Sequence, residues 1–486
     1  MPFTAALAPA ARGRQFVAET VAPERVPPLD PTAQEDLVGP ADVILQGGPI
    51  VTMADSSGPA DAVAVRAGRI QAVGRAEDVL ACRGRPTRMI DLDGRTLLPG
   101  FINAHWHMNL DLLCERVDLP EDAPAEAACA AVVAAARAAA SGEWIVLRGP
   151  ARPPPAAALT MAAPSHPALC IDAAGAILAG NAAAAQLAAH ISSLLPRITA
   201  RLGISAAPFG RRFARMLRQA AAGGTTSLSV CGLGLLTGAG DLELLRGVAA
   251  DAPPLRLRGM LDIGLLPEWH ARGVVPGAGN DMLRLDAVSG WLAPPGDGLA
   301  VLATRLRAAR EAGWQVTLHA ADRVEVQVAL DVMAQAGIAA DPRSGIETRV
   351  LPEPAQTATL HERGLSLGLA IDAPGIAAPA TSHPIPPDIP VSLGLDAVFG
   401  SSPPLLMLRT ARGVDGPPLD LRRALAALTC EPARRCGTGS ILGRIVRGAY
   451  ADFALLDRDP RELDATGLTR LCCCGTWVNG IETFKA

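Results

Sequence analysis

His105-Trp106-His107 follows the apolar segment Thr96-Leu-Leu-Pro-Gly-Phe-Ile. In an extended segment residues i and i+2 point the same way, so both imidazoles could reach one ion. His319 closes the run Gln315-Val-Thr-Leu, and Asp396 closes Val391-Ser-Leu-Gly-Leu. Three His and one Asp from three strands would make an N₃O site suited to one divalent metal, Zn²⁺ or Fe²⁺. Such an ion lowers the pKa of a bound water towards ~7 and polarises a carbonyl. Taken singly, each group has a plainer reading: a chance His-x-His pair, a satisfied core histidine, a helix cap. Their joint placement after three strands points to a metal site. His166, His190, His270, His361 and His383 lack such placement and read as surface or loop residues.

The elements that must position these groups alternate along the chain. Over 208–222, Phe209, Phe213, Met216, Leu217 and Ala220 share one helical face. Gly223-Gly224 stops that helix, and Thr225-Thr-Ser-Leu-Ser-Val reads as a strand. Helices over 240–250, 298–312, 324–336 and 353–363 each lead to a further strand, and a last helix lies near 420–429. This alternation predicts an α/β fold of parallel βα units, as a (β/α)₈ TIM barrel or a doubly wound sheet. In a barrel the C-terminal strand ends converge on one mouth. No Gly-x-Gly-x-x-Gly follows the first strand, which argues against a dinucleotide site. Short strands with glycine turns occupy 42–53 and 62–73 and return in 451–457 and 475–480. Both chain ends are therefore expected to build one small β-domain.

Composition narrows the function classes. The 486 residues carry 44 basic and 48 acidic groups, a net charge of −4, with 49% hydrophobic and 3% aromatic residues. That balance argues against nucleic-acid binding and against a disordered chain. No apolar run approaches the ~20 residues of a membrane helix. The Ala-rich stretch 124–141, broken by Glu126 and Arg137, reads as a soluble helix. The ten Cys lack paired spacing and read as reduced thiols, which places the protein in the cytoplasm. Cys472-Cys473-Cys474 reads as small buried hydrophobes. Residues 1–40 read as a disordered extension. The one Lys is Lys485.

Pro99-Gly-Phe-Ile-Asn-Ala-His-Trp-His resembles the first metal-binding strand of the amidohydrolase superfamily. Within it the chain is most similar to the amidohydrolase-3 (YtcJ-like) branch, which includes N-substituted formamide deformylases. Gly142-Glu-Trp-Ile, Asn181, Gly223-Gly-Thr-Thr, His319-Ala-Ala-Asp322, Gly345-Ile-Glu-Thr, Gly394-Leu-Asp396 and Gly439-Ser-Ile-Leu-Gly-Arg follow in the family's order. The resemblance implies a TIM barrel over 96–437 and a composite β-sandwich from 41–95 and 438–486.

Several positions depart from the family pattern. The family's carboxylated lysine bridges two metals, and Leu283-Arg284-Leu285 takes its place in the sequence. A guanidinium stays protonated and forms no carbamate. Thr348 stands where the family has a histidine, Ala176 replaces another, and the loop 371–390 is shorter than expected. With no internal lysine, a lysine-bridged two-metal centre is excluded. The surviving His105, His107, His319 and Asp396 match the ligands of mononuclear members. Asp322 lies where deaminases carry an acidic proton shuttle, and a helix N-cap is its other reading. Arg284 could hold a substrate carboxylate or phosphate.

The expected protein is a mononuclear amidohydrolase that cleaves an amide, formamide or cyclic C–N bond by metal-activated water. Asp396 and Asp322 are the candidate proton carriers, and the substrate is a small molecule. Neither nucleic acid nor a membrane is an expected partner, and homo-oligomer formation is left open. The alternative is a catalytically silent homologue that binds or regulates.

Overall fold

The computed structural model describes residues 37–54, 58–108, 114–139, 143–149, 152–171, 177–184, 206–235, 238–251, 253–292, 298–371, 385–395, 404–412 and 419–486. Eight parallel strands form its central sheet: β1 (Phe101–His107), β2 (Thr225–Leu233), β3 (Arg256–Asp262), β4 (Leu283–Trp291), β5 (Gln315–Ala320), β6 (Gly345–Thr348), β7 (Ser366–Ile371) and β8 (Val391–Leu395). Each pairs with its successor, so spatial order repeats chain order. β8 returns beside β1, where a methyl group on Gly394 would overlap the His105 backbone. The sheet is thus a nearly closed (β/α)₈ barrel of the kind the alternating pattern predicted.

The helices fall where periodicity placed them. Ala206–Ala222 precedes β2, Gly240–Ala250 precedes β3, and Leu299–Glu311, Arg323–Gln335 and Pro354–Glu362 precede β5, β6 and β7. Leu302, Leu306 and Ala309 of one helix, and Val326, Leu330 and Met333 of the next, are buried at helical spacing. Gly313 and Gly337 end these two helices at φ 86° and 72°, a conformation that favours glycine.

Two further units flank the barrel. One sheet runs Arg69–Gly74, Ala62–Arg66, Val43–Gln46, Arg88–Asp91, and a second runs Ile481–Lys485, Cys473–Val478, Phe453–Leu456, Thr96–Pro99. They share one core that includes Leu45, Val63, Ile70, Leu97, Phe453, Leu455 and Trp477. Both chain ends therefore contribute to one sandwich-like unit. Thr96–Pro99, which the sequence assigned to the start of the barrel, pairs antiparallel with Phe453–Leu456 in it.

The other unit is an insertion between β1 and β2 that the sequence did not separate from the barrel. It has strands Cys114–Asp118, Trp144–Arg148, Ala168–Ile171 and Ile177–Gly180, with helices Ala125–Ala138 and Ala156–Ala162. Val132, Ile145, Leu147 and Leu159 form its core. No helix among the described residues is long and apolar enough to cross a membrane.

Candidate metal centre

β1 is buried along almost its whole length and delivers His105 and His107 at its C-terminal end. Their ring centroids lie 4.6 Å apart at 82°. His319, from β5, brings its ring to 5.1 Å from His105 and 5.4 Å from His107. One ligand atom from each of the three lies within 4.8 Å of the others. Three imidazoles at that spacing fit a zinc- or iron-class ion, which takes nitrogen donors in a compact shell. Asp396 lies outside the described residues. It directly follows Leu395, the last residue of β8.

Glu347 of β6 reaches the same cluster. Its Oε2 contacts His105 Nδ1 and lies 3.4 Å from His319 Nδ1. Oε1 lies 2.8 Å from Arg435 Nη1. Burial alone would push this carboxyl up. The charges of His105 and Arg435, with the His105 hydrogen bond, more than offset that and hold it well below the usual carboxylate range. Cys231 of β2 sits 3.7 Å from His105 Nδ1, and burial pushes its thiol pKa up. Trp291, the last residue of β4, stacks on His319 with centroids 4.2 Å apart at 19° and tilts against His107 at 5.4 Å.

The structure separates the expected site residues. His105, His107 and His319 come together. Arg284 does not join them, which corrects the substrate-anion reading. It is the second residue of β4, seven residues and about 23 Å of extended chain before Trp291. Its half-exposed side chain donates from Nε to Asp286 Oδ1 at 2.7 Å. Register, not the short Leu-Arg-Leu pattern, decides the place at the mouth: Trp291 pairs with His319, and Trp291 is what β4 presents there. Asp322 is the N-cap of Arg323–Gln335, its Oδ1 accepting the Glu325 N–H at 2.9 Å. Thr348 is buried, and its hydroxyl accepts the Val350 N–H at 3.2 Å. Ala176 lies outside the described residues.

Glu347, Arg435, Trp291 and Cys231 escaped the sequence reading. Glu347 was visible only as the neighbour of a missing histidine. Trp291 could have been found by extending the apolar alternation of 283–287 to the end of its strand.

The amidohydrolase family model matches residues 88–484. Imidazolonepropionase of Symbiobacterium thermophilum is 39% identical over 83 residues, a match spanning 14% of this chain and 20% of that protein. The chain thus matches about a fifth of that curated relative's length. An uncharacterised metal-dependent hydrolase from Pyrococcus horikoshii superposes with a TM-score of 0.71 at 17% identity, covering 87% of this chain and 99% of that one. A zinc-bound adenosine deaminase from Xanthomonas campestris gives 0.59 at 16% identity, covering 91% and 93%. An atrazine chlorohydrolase from Arthrobacter aurescens, also with zinc, gives 0.56 at 15% identity, covering 90% and 94%. At these identities the three structures share the fold.

Proposed function

The chain belongs to the amidohydrolase family, metal-dependent hydrolases of C–N bonds, and we propose that it is a one-metal enzyme cleaving an amide, formamide or cyclic C–N bond. The observation that carries this reading is the convergence of His105, His107 and His319, with ligand atoms within 4.8 Å of one another. With Asp396, next after β8 in the sequence, as a fourth ligand the set would be N₃O. The chain's one Lys is Lys485, so a carbamate-bridged pair of ions has no internal lysine to form it. Trp291 closes the β4 side of the cluster with an indole ring instead.

A zinc or iron ion held by these four residues would activate a water and polarise the bond under attack. The protein's own groups supply the rest. Strands β1 and β5 hold the three imidazoles against one another. The Asp396 carboxylate carries a proton from the attacking water to the leaving nitrogen. Trp291 shields one side from solvent and offers an apolar wall to a flat substrate. Imidazolonepropionase and adenosine deaminase are each named for a planar nitrogen heterocycle, which supports putting ring-borne C–N bonds first among the candidates.

Metal content by ICP-MS tests the site. About one zinc or iron per chain, lost in His105→Ala, is the expected result. A folded protein that takes up neither metal after growth with both would overturn the enzyme reading and leave the silent homologue. The metal-loaded protein is then assayed on formamides, N-acyl amines and nitrogen heterocycles. Turnover unaffected by Asp396→Asn would remove the role given to that carboxylate.

A further inference from the structure

β6 ends in Glu347-Thr348, so its terminal position brings no histidine to the mouth. It brings a carboxylate instead, one position earlier. We propose that Glu347, anchored by Arg435, is a positioning residue of the metal centre: it grips the His105 ring at Nδ1 and so sets Nε2 as the metal-facing nitrogen. This rests on His105 being a ligand, as read above.

The geometry is that of a built support. The Glu347 side chain is 1% exposed and Arg435 5%. A carboxylate buried that deeply needs charged or hydrogen-bonded partners, and it has both. Oε2 meets His105 Nδ1 and lies 3.4 Å from His319 Nδ1. Oε1 faces Arg435 Nη1 at 2.8 Å. The same guanidinium donates to Ser392 Oγ on β8 at 3.0 Å and to Thr317 Oγ1 on β5 at 2.9 Å. Arg435 itself comes from the helix Cys430–Arg435 that follows the barrel. One cation thus links β5, β6 and β8 and aims the carboxylate at β1. On β7 the space is kept open by Gly368: a methyl group there would lie 2.7 Å from Arg435 Nη1 and overlap Glu347.

The chemical consequence follows from the imidazole. An ionised carboxylate only accepts, so the ring must donate from Nδ1. A neutral ring that donates from Nδ1 carries its lone pair on Nε2, where an ion can use it. Held by Arg435, Glu347 fixes both the tautomer and the ring orientation.

Long-range ¹⁵N–¹H spectra of the histidine side chains read the tautomer in metal-free protein. Wild-type His105 is expected in the Nδ1–H form, and Glu347→Gln is expected to weaken or abolish that preference. Zinc affinity, measured by chelator competition, should fall by about 10–100-fold in the same variant. The visible spectrum of the cobalt-substituted variant should also change. Glu347→Asp should restore part of the affinity. If Glu347→Gln fails to fold because Arg435 keeps its buried charge, the double variant Glu347→Gln, Arg435→Met removes both charges and is read the same way. A role confined to stability would lower the unfolding midpoint and leave the tautomer alone. Wild-type His105 in the Nε2–H form, or an unchanged tautomer and zinc affinity in a folded variant, overturns the proposal. Wild-type protein that binds no metal fails the one-metal reading instead, and its tautomer spectra still decide whether Glu347 holds the ring.

Discussion

Gly394 shows how little room surrounds the histidine cluster. It sits on β8 against the His105 backbone, and even a methyl group there overlaps His105 N, Cα and Cβ. Gly394→Ala must push β1 and β8 apart at the point where His105 starts towards the ion. Overpacking of this kind costs about 1–3 kcal/mol. The expected variant is less stable in urea and holds less metal by ICP-MS. A variant with full metal and an unchanged midpoint would contradict the close approach of the two strands. At this scale the sequence exposes ligands better than their supports. His105 and His107 are legible because a two-residue spacing is itself a geometric statement. Glu347 meets His105 across 242 residues of chain, and no local pattern records such a pairing. Arg284 misled for the same reason, since three letters of a strand do not say which end of it faces the mouth.

Among the elements, helices were the most legible. Arg323–Gln335 has an apolar face, an Asp at its start and Gly337 after its end, so its bounds follow from short-range chemistry. The same helix allows a test of Asp322. As the N-cap it satisfies the Glu325 N–H, and its loss should cost about 0.5–2 kcal/mol. Asp322→Ala should lower the urea midpoint, and Asp322→Ser should restore it together with turnover, because a hydroxyl also caps. If Asp322→Ser regains stability yet stays inactive, the residue carries a proton as well as a helix end. Strand lengths were harder to read. β4 runs nine residues with a mixed burial pattern, and its first three resembled a complete short motif. Barrel strands are covered on the outside by helices and on the inside by side chains such as Ser229, Thr317 and Arg435, so simple alternation does not mark their ends.

Across the whole molecule, the tie between sandwich and barrel lies at the opposite end of the strands from the histidines. Arg256, the first residue of β3, is fully buried and grips Asp452 with Nε at 2.7 Å and Nη2 at 3.0 Å. Asn479 accepts from the same guanidinium, and the Tyr450 ring stacks under it at 3.9 Å. Asp452 and Asn479 belong to the last part of the chain, so one cation fastens the C-terminal strands to the barrel floor. Sequence could predict that both ends share a β-unit from their matching texture. It could not predict the clamp, because Arg256 and Asp452 stand 196 residues apart and a single Arg in a strand looks like any solvent-facing residue. Removing one member of a buried pair leaves the other charge uncompensated, a loss of about 3–5 kcal/mol, whereas replacing both with apolar residues often recovers it. Asp452→Ala should therefore lower the unfolding free energy by about that amount. The double variant Arg256→Met, Asp452→Leu should return most of it. Denaturant titration measures both, and ICP-MS on the folded variants should find the histidine site still loaded, because the clamp sits at the other end of the strands from His105, His107 and His319. If Asp452→Ala lost metal in proportion to stability, the barrel floor and its mouth would be one cooperative unit rather than two ends secured separately.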